Sequence, residues 1–410
     1  MGLKDVICFK GHKVSASSRI LEGFTSLYNA TATQRLLDEG AIIIGRQNCD
    51  EFAMGSSNEN SAFGPVKNAI DEQRVPGGSS GGSAVAVQTG TCMISLGSDT
   101  GGSVRQPADF CGIIGLKPSY GCISRYGLIA YASSFDQIGI FAKTLEDVGI
   151  VLEVIAGPDE FDGTAYQKLS SVVCNKPLKD QKHRICYFKN ALEHPSLDHT
   201  IANKIKDFIS ALITDGYEVE AIDFELLDYI VPAYYVLTTA EASSNLSRYD
   251  GIKYGFRNNR KECDLRELYT SSRSEGFGAE VKRRILLGTF VLSEGYYDAY
   301  FSKAQRVRKL VVERTKSIFN EFDAIILPTV PSPAYKIGEK KDPVEIFLAD
   351  IYTVYANLAG IPAISLPLFK NEQELPFGIQ VMAAQRNESL LLHLSELFMQ
   401  LEQPKMQMSL

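Results

Sequence analysis

Two glycine-serine loops hold the residues whose types and spacing could do chemistry: Gly77-Gly78-Ser79-Ser80-Gly81-Gly82-Ser83 and Asp99-Thr100-Gly101-Gly102-Ser103-Val104-Arg105. The second has the form of a nucleophile turn. Gly101 and Gly102 immediately before Ser103 permit tight or positive-φ backbone, so that consecutive N–H groups can point at one spot beside the hydroxyl, as an oxyanion hole requires. A serine hydroxyl is a poor nucleophile until a base removes its proton. Histidine is the usual base, yet His12, His183, His194, His199 and His393 lie in neither loop. A lysine can serve instead where burial disfavours its charged form. A neutral Lys4 amine could take a proton from Ser79 while Ser79 takes one from Ser103, because a hydroxyl donates and accepts at once. Taken singly, Lys4 reads as an ordinary solvated lysine and the first loop as a flexible linker. A phosphate loop fits less well still, since no Gly-Lys-Ser/Thr follows. Asp99 and Arg105 flank the second turn with opposite charges and are expected to pair across it.

Elements must hold these loops. Short apolar runs alternate with helical patterns along the 410 residues, the pattern of an α/β layered domain. A helix is expected over Ala32 to Glu39, a buried strand over Ala41 to Gly45, a helix over Gly82 to Gly90 and a strand over Cys92 to Leu96. Ser79 then lies at a helix N-terminus and Ser103 just past a strand. Thr144-Leu145-Glu146-Asp147 has the form of an N-cap with an acidic first turn, opening a helix to about Ile155. Strands are expected at Arg184 to Phe188, Tyr217 to Ile222, Ala324 to Thr329, Ala363 to Pro367 and Gly378 to Ala383. Further helices are expected at Leu197 to Ile213, Ala279 to Leu292, Gly295 to Glu321 and Ser389 to Leu401. The basic positions Arg306, Arg308, Lys309 and Arg314 read as a solvated helix face.

Composition narrows the class. Hydrophobic residues make up 45% and charged residues 22%, values of a globular chain. The net charge of −7 argues against holding nucleic acid through an overall field. Eight scattered cysteines with no CxxC suit a reducing cytosol and argue against structural zinc. With no apolar run of membrane-spanning length and no signal pattern, a cytoplasmic location, no membrane and no metal are expected.

The spacing of Lys4, Ser79 and Ser103, 75 and then 24 residues, matches the amidase signature family, whose catalytic group is a Ser-Ser-Lys triad. Across nearly the whole chain the wording resembles the glutaminase members of that family, the A subunits of tRNA-dependent amidotransferases. The closest stretches are Gly45 to Ser61, Val75 to Ser83, Leu96 to Pro107 and Gly127 to Gly139. The resemblance implies one large α/β amidase-signature domain over 1–410, its central mixed β-sheet covered by helices on both faces, with a peripheral segment at about 161–268. It implies Ser103 as acyl-enzyme nucleophile, Ser79 as bridging serine after a cis peptide, and Lys4 as base. The N–H groups of Thr100, Gly101, Gly102 and Ser103 would form the oxyanion hole, and Met54, Tyr234, Arg283 and Asp350 would bind glutamine. A guanidinium suits the carboxylate of a free amino acid and a carboxylate its ammonium.

The resemblance further implies no cofactor in this chain, with ATP and Mg²⁺ used by the assembled complex. The implied partners are glutamine, amidotransferase subunits B and C, and Glu-tRNA(Gln) held mainly by a partner subunit. One departure stands out. The family has a helical segment and a buried strand before its lysine, whereas three residues precede Lys4 here. A lysine at a fraying chain end would be solvated and charged, useless as a base. A piece of a longer protein, or an inactive scaffold, therefore stands beside the glutaminase reading, as does a stand-alone amidase for another small amide.

Overall fold

Ten strands hydrogen-bond into one mixed sheet in the order β2-β1-β3-β5-β4-β9-β10-β8-β6-β7. They are β1 Gly2–Lys4, β2 Gly45–Gln47, β3 Ser95–Asp99, β4 Ile114–Lys117, β5 Gln137–Ala142, β6 Arg184–Phe188, β7 Glu218–Ile222, β8 Ala324–Pro328, β9 Ala363–Lys370 and β10 Pro376–Ala383. β1 runs parallel to both β2 and β3, whereas β3, β5, β4, β9, β10 and β8 are successively antiparallel; β6 is parallel to β8 and to β7. Helices are α1 Thr31–Asp38, α2 Gly81–Gln88, α3 Arg105–Cys111, α4 Leu145–Ile155, α5 Lys189–Leu192, α6 His199–Thr214, α7 Leu227–Asn245, α8 Leu265–Gly276, α9 Ala279–Val291, α10 Lys303–Ile318, α11 Val354–Ala359 and α12 Glu388–Gln407. This computed structural model describes residues 1–166, 183–260, 263–339 and 348–407.

β3, β4, β5, β8 and β10 are buried on every residue, which is why they read as unbroken apolar runs or carry only small and paired polar side chains. α4 begins as its sequence dictates: the Thr144 hydroxyl accepts from the Asp147 N–H at 3.1 Å, with Glu146 and Asp147 in the first turn. The stretch expected to be peripheral supplies β6 and β7 to one edge of the sheet and α7 to the core; its residues 167–182, with Cys174, lie outside the described residues.

Three expectations shift. Ala41 to Ile44 is not a buried strand: Ile42 and Ile44 are exposed, and only Gly45–Gln47 pairs, at the sheet's outer edge where the run lacks cover on both sides. β3 starts at Ser95, later than expected, and ends at Asp99. The long helix after Gly295 is broken into a π-helical turn, Asp298–Ser302, and α10.

The chain start is tied down. β1 lies between two strands, the Met1 ammonium donates to the Ile42 carbonyl at 2.7 Å, and the Gly2 N–H donates to the Ile94 carbonyl at 3.1 Å. Leu3 and Lys4 are fully buried. Lys4 is therefore buried, as the expected role of base requires, because sheet pairing on both sides of β1 holds it away from solvent.

α7 and α9 pack closely because Gly288 has no side chain; a Cβ there would lie 1.9 Å from the Thr239 carbonyl oxygen. Gly288→Ala is expected to force the two helices apart and to lower the unfolding free energy by about 1–3 kcal/mol, measured by urea denaturation.

Candidate active site

β1 delivers Lys4, β3 delivers Ser98 and the Asp99–Ser103 turn, and the loop before α2 delivers Ser79 and Ser80. The Lys4 Nζ lies 2.7 Å from Ser79 Oγ, 2.8 Å from Ser80 Oγ, 2.9 Å from Ser98 Oγ and 3.5 Å from the Ser98 carbonyl oxygen. Burial lowers this amine from the usual 10.5 to about 8, against the opposing field of Cys49, Asp50, Asp99 and Asp136. The Gly78–Ser79 peptide is cis. The Gly78 N–H donates to Gln106 Oε1 at 3.1 Å, and the Ser79 carbonyl accepts from the Asp50 N–H at 3.1 Å.

The two loops touch: the Ser80 N–H donates to the Ser103 carbonyl at 3.2 Å, and Ser103 is 8% exposed, the outermost of the serines in the cluster. Asp99 organises the second turn. Its carboxylate accepts from the N–H groups of Gly102 at 2.8 Å and Val104 at 3.1 Å, and from Arg105 Nη2 at 3.0 Å and Nε at 3.2 Å. Burial alone would raise the Asp99 carboxyl, but the Arg105 charge and hydrogen bonds hold it down at about 2. The expected pairing of Asp99 with Arg105 is thus present, with both side chains fully buried. The expected set of four oxyanion donors is corrected: the Gly102 N–H turns back to Asp99, which leaves those of Thr100, Gly101 and Ser103 as candidates. Thr100 is held through its hydroxyl, which donates to Asp136 at 2.7 Å.

Tyr234 and Asp350 are brought to this region. A Cβ on Gly101 would lie 2.3 Å from the Tyr234 hydroxyl, so that phenol sits directly on the turn. Asp350 accepts from the Tyr235 hydroxyl at 2.7 Å and from Ser56 Oγ at 3.3 Å. Burial raises its carboxyl to about 6, opposed by the Tyr235 hydrogen bond and the Arg284 charge. Met54 is fully buried in the main core.

Arg283 is corrected. Its side chain is 53% exposed and pairs with Glu280, whereas Arg284 is buried, with Nε 2.8 Å from Glu280, Nη1 2.7 Å from the Tyr131 hydroxyl and its guanidinium over the Tyr235 ring. The buried stripe of α9, Val281, Arg284, Gly288 and Val291, has helical spacing and was the signal that separates 284 from 283. Ser80, Ser98 and Tyr235 were also missed, each adjacent to a residue that the motifs favoured. On α10, Arg308 leaves the solvated face and stacks on Phe135, with its centre 4.2 Å from the ring. The described cysteines are free thiols. Among the described residues no three His, Cys, Asp or Glu side chains come together as a metal site, and no helix is long and apolar enough to cross a membrane.

Fold and site together define an α/β enzyme with a buried lysine amine bonded to loop serines beside a glycine turn. The chain belongs to the amidase family, whose family model matches residues 1–392. It is 50% identical over 402 residues to the A subunit of the glutamyl-tRNA(Gln) amidotransferase of Koribacter versatilis, covering 96% of this chain and 82% of that protein. It is 49% identical to the protein of the same name from Clostridium botulinum, covering 96% and 81% respectively. Its fold superposes on the crystal structure of the corresponding A subunit of the Thermotoga maritima glutamyl-tRNA(Gln) amidotransferase with a TM-score of 0.82 at 40% identity, covering 95% of this chain and 80% of that one.

Asp99→Asn would leave the Arg105 guanidinium buried without a counter-charge and is expected to lower the unfolding free energy by about 3–5 kcal/mol near neutral pH. The Asp99 carboxyl is held at about 2, against about 3.9 in an unfolded chain, so its stabilising share is complete above the unfolded value. The deficit of the variant should therefore narrow as pH falls from about 5 towards 2, followed by urea unfolding at each pH.

Proposed function

We propose that this chain is the glutaminase subunit of a tRNA-dependent amidotransferase. The observation that carries the reading is the fully buried Lys4 amine 2.7 Å from the Ser79 hydroxyl. Ser103 attacks the side-chain amide of glutamine, Ser79 takes the Ser103 proton, and Lys4 takes the Ser79 proton. The N–H groups beside Ser103 stabilise the oxyanion, ammonia leaves with a proton returned along the same relay, and water then releases glutamate from the acyl-enzyme. Arg284 and Asp350 flank Tyr235 with opposite charges, which suits the α-carboxylate and α-ammonium of a free amino acid and not an apolar amide.

That the relatives are A subunits of glutamyl-tRNA(Gln) amidotransferases supports the larger reaction. In this reading the ammonia passes to partner subunits, B and C, which hold Glu-tRNA(Gln) in the cytoplasm and use ATP and Mg²⁺ to activate the glutamyl end. The relay keeps all its groups in this chain and routes no step through a metal. The scaffold alternative loses its motive, because it rested on a solvated Lys4.

Glutamate release from glutamine by the chain with its partners, compared with release from a panel of uncharged amides, tests the assignment; preference for an uncharged amide would overturn it in favour of a stand-alone amidase. Lys4→Met is expected to lower kcat by about 10²–10⁴-fold. Because the amine must be neutral and loses its proton at about 8, the wild-type rate should rise as pH passes from 6 through 8 and level off above. Arg284→Ala is expected to raise the KM for glutamine by about 10- to 100-fold, the loss of a charge-assisted pair, while Arg283→Ala shifts it less than about twofold.

A further inference from the structure

We propose that Ser80 is a positioning residue that fixes one N–H of the Lys4 amine and so keeps the lone pair off its own hydroxyl and free for Ser79. The inference rests on the relay described above and concerns a group that the relay does not use. A neutral amine has two N–H donors and one lone pair. Three hydroxyl oxygens lie within 2.9 Å of the Lys4 Nζ, those of Ser79, Ser80 and Ser98. Any hydroxyl with a free proton could claim the lone pair, and only Ser79 leads onward to Ser103.

Ser80 is saturated in a way that settles its own role. A hydroxyl has one proton to donate and two lone pairs. The Ser80 proton goes to the Ser98 carbonyl at 3.1 Å, and one lone pair accepts from the Ser98 N–H at 3.3 Å. Towards Lys4, at 2.8 Å, Ser80 can then only accept. One amine N–H is fixed on Ser80. The Ser98 carbonyl oxygen, 3.5 Å from Nζ, is a further acceptor beside the Ser98 hydroxyl at 2.9 Å. With Ser80 unable to donate, the lone pair is left for Ser79, at 2.7 Å the nearest of the hydroxyls.

The proton balance closes. When Ser103 Oγ bonds to carbon, its proton goes to Ser79 and the Ser79 proton goes to Nζ; the ammonium then donates to all three hydroxyls. Ser80 is also fixed in place. It is fully buried, its N–H is bonded to the Ser103 carbonyl, and a side chain at Gly97 would come within 2.9 Å of its Oγ.

The test uses a fluorophosphonate probe, which reacts with an activated serine whatever the natural substrate, on the full chain across pH 6 to 10. Ser80→Ala should slow labelling by about 10- to 100-fold, part of the about 10²–10⁴-fold that a positioned base supplies. It should also move the midpoint of the pH–rate curve to lower pH, because the ammonium loses an acceptor that favours its charged form. Ser80→Cys, which fills the space but accepts hydrogen bonds poorly, should behave like Ser80→Ala and carries the test should the alanine variant fail to fold. Wild-type rates and midpoint in Ser80→Cys would overturn the proposal while leaving the relay intact. Absence of labelling in the wild-type chain would overturn the relay, and this inference with it.

Discussion

A lysine amine near neutrality is charged unless its surroundings disfavour the charge, and the buried amine of Lys4 is the constraint on which the rest of this molecule depends. Its displacement from 10.5 to about 8 corresponds to roughly 3 kcal/mol by which the fold disfavours the ammonium. Three carboxylates lie near enough to oppose this, and each is occupied elsewhere. Asp99 is held by Arg105, Asp136 by Thr100 and the N–H groups of Tyr131 and Ala132, and Asp50 by the N–H groups of Asn58 and Asn60. Lys4 itself touches only neutral oxygens. A carboxylate in contact would push the amine back up towards 10.5 and leave far less of it uncharged near neutral pH.

Lys117 shows that burial alone does not suffice. It too is fully buried, and burial with the nearby Arg105 charge lowers its amine to about 7. Its partners are the carbonyls of Pro118 and Ile361 and the Gln137 side-chain oxygen, at 2.8, 2.6 and 3.2 Å. Those oxygens accept and have no proton to give. Lys117 is thereby a tie between β4, β5 and the loop before β9, whereas Lys4 is surrounded by hydroxyls that both donate and accept. The chemistry of the partner, more than the depth of burial, separates a structural lysine from a base.

Much of this was legible in the sequence because glycine reports backbone geometry directly. The two loops, their serines and the Asp99–Arg105 pair are local features, fixed within a few residues of chain. The strand-to-turn-to-helix setting of Ser103 followed from the same punctuation, although β3 starts three residues later than its apolar run. What could not be read depends on long-range packing. That Lys4 is buried depends on β2 and β3, about forty and ninety residues away, which pair with β1 on either side. The loss of the Gly102 N–H to Asp99 is a hydrogen-bond choice that spacing does not encode. Arg283 and Arg284 are the same residue type side by side, and only the buried stripe of α9 tells them apart. The apolar run at Ala41 to Ile44 misled because a strand at the sheet's edge lacks the cover that such a run anticipates.

The Asp99–Ser103 turn and the segment that carries Asp350 are held in register by Arg105, not by the sheet alone. Its guanidinium binds Asp99 within the turn and reaches across to the Thr353 carbonyl at 2.8 Å, Gln380 Oε1 at 2.9 Å and Asn357 Oδ1 at 2.6 Å. Thr353 returns the contact through its hydroxyl, which donates to the Gly101 carbonyl at 2.7 Å, and its N–H donates to the Asp350 carbonyl at 3.1 Å. Ser103 and Asp350 are therefore separated by a short, fully buried chain of hydrogen bonds anchored on Gln380 of β10, which also donates to the Tyr352 carbonyl at 2.7 Å. On the reading proposed above, a substrate held by its ammonium at Asp350 would be fixed relative to the Ser103 oxygen by a buried frame, and such fixed distance is the source of the entropic advantage of a bound substrate. The planar, five-donor guanidinium is what allows one side chain to join these groups, and an ammonium in its place would reach too few of them.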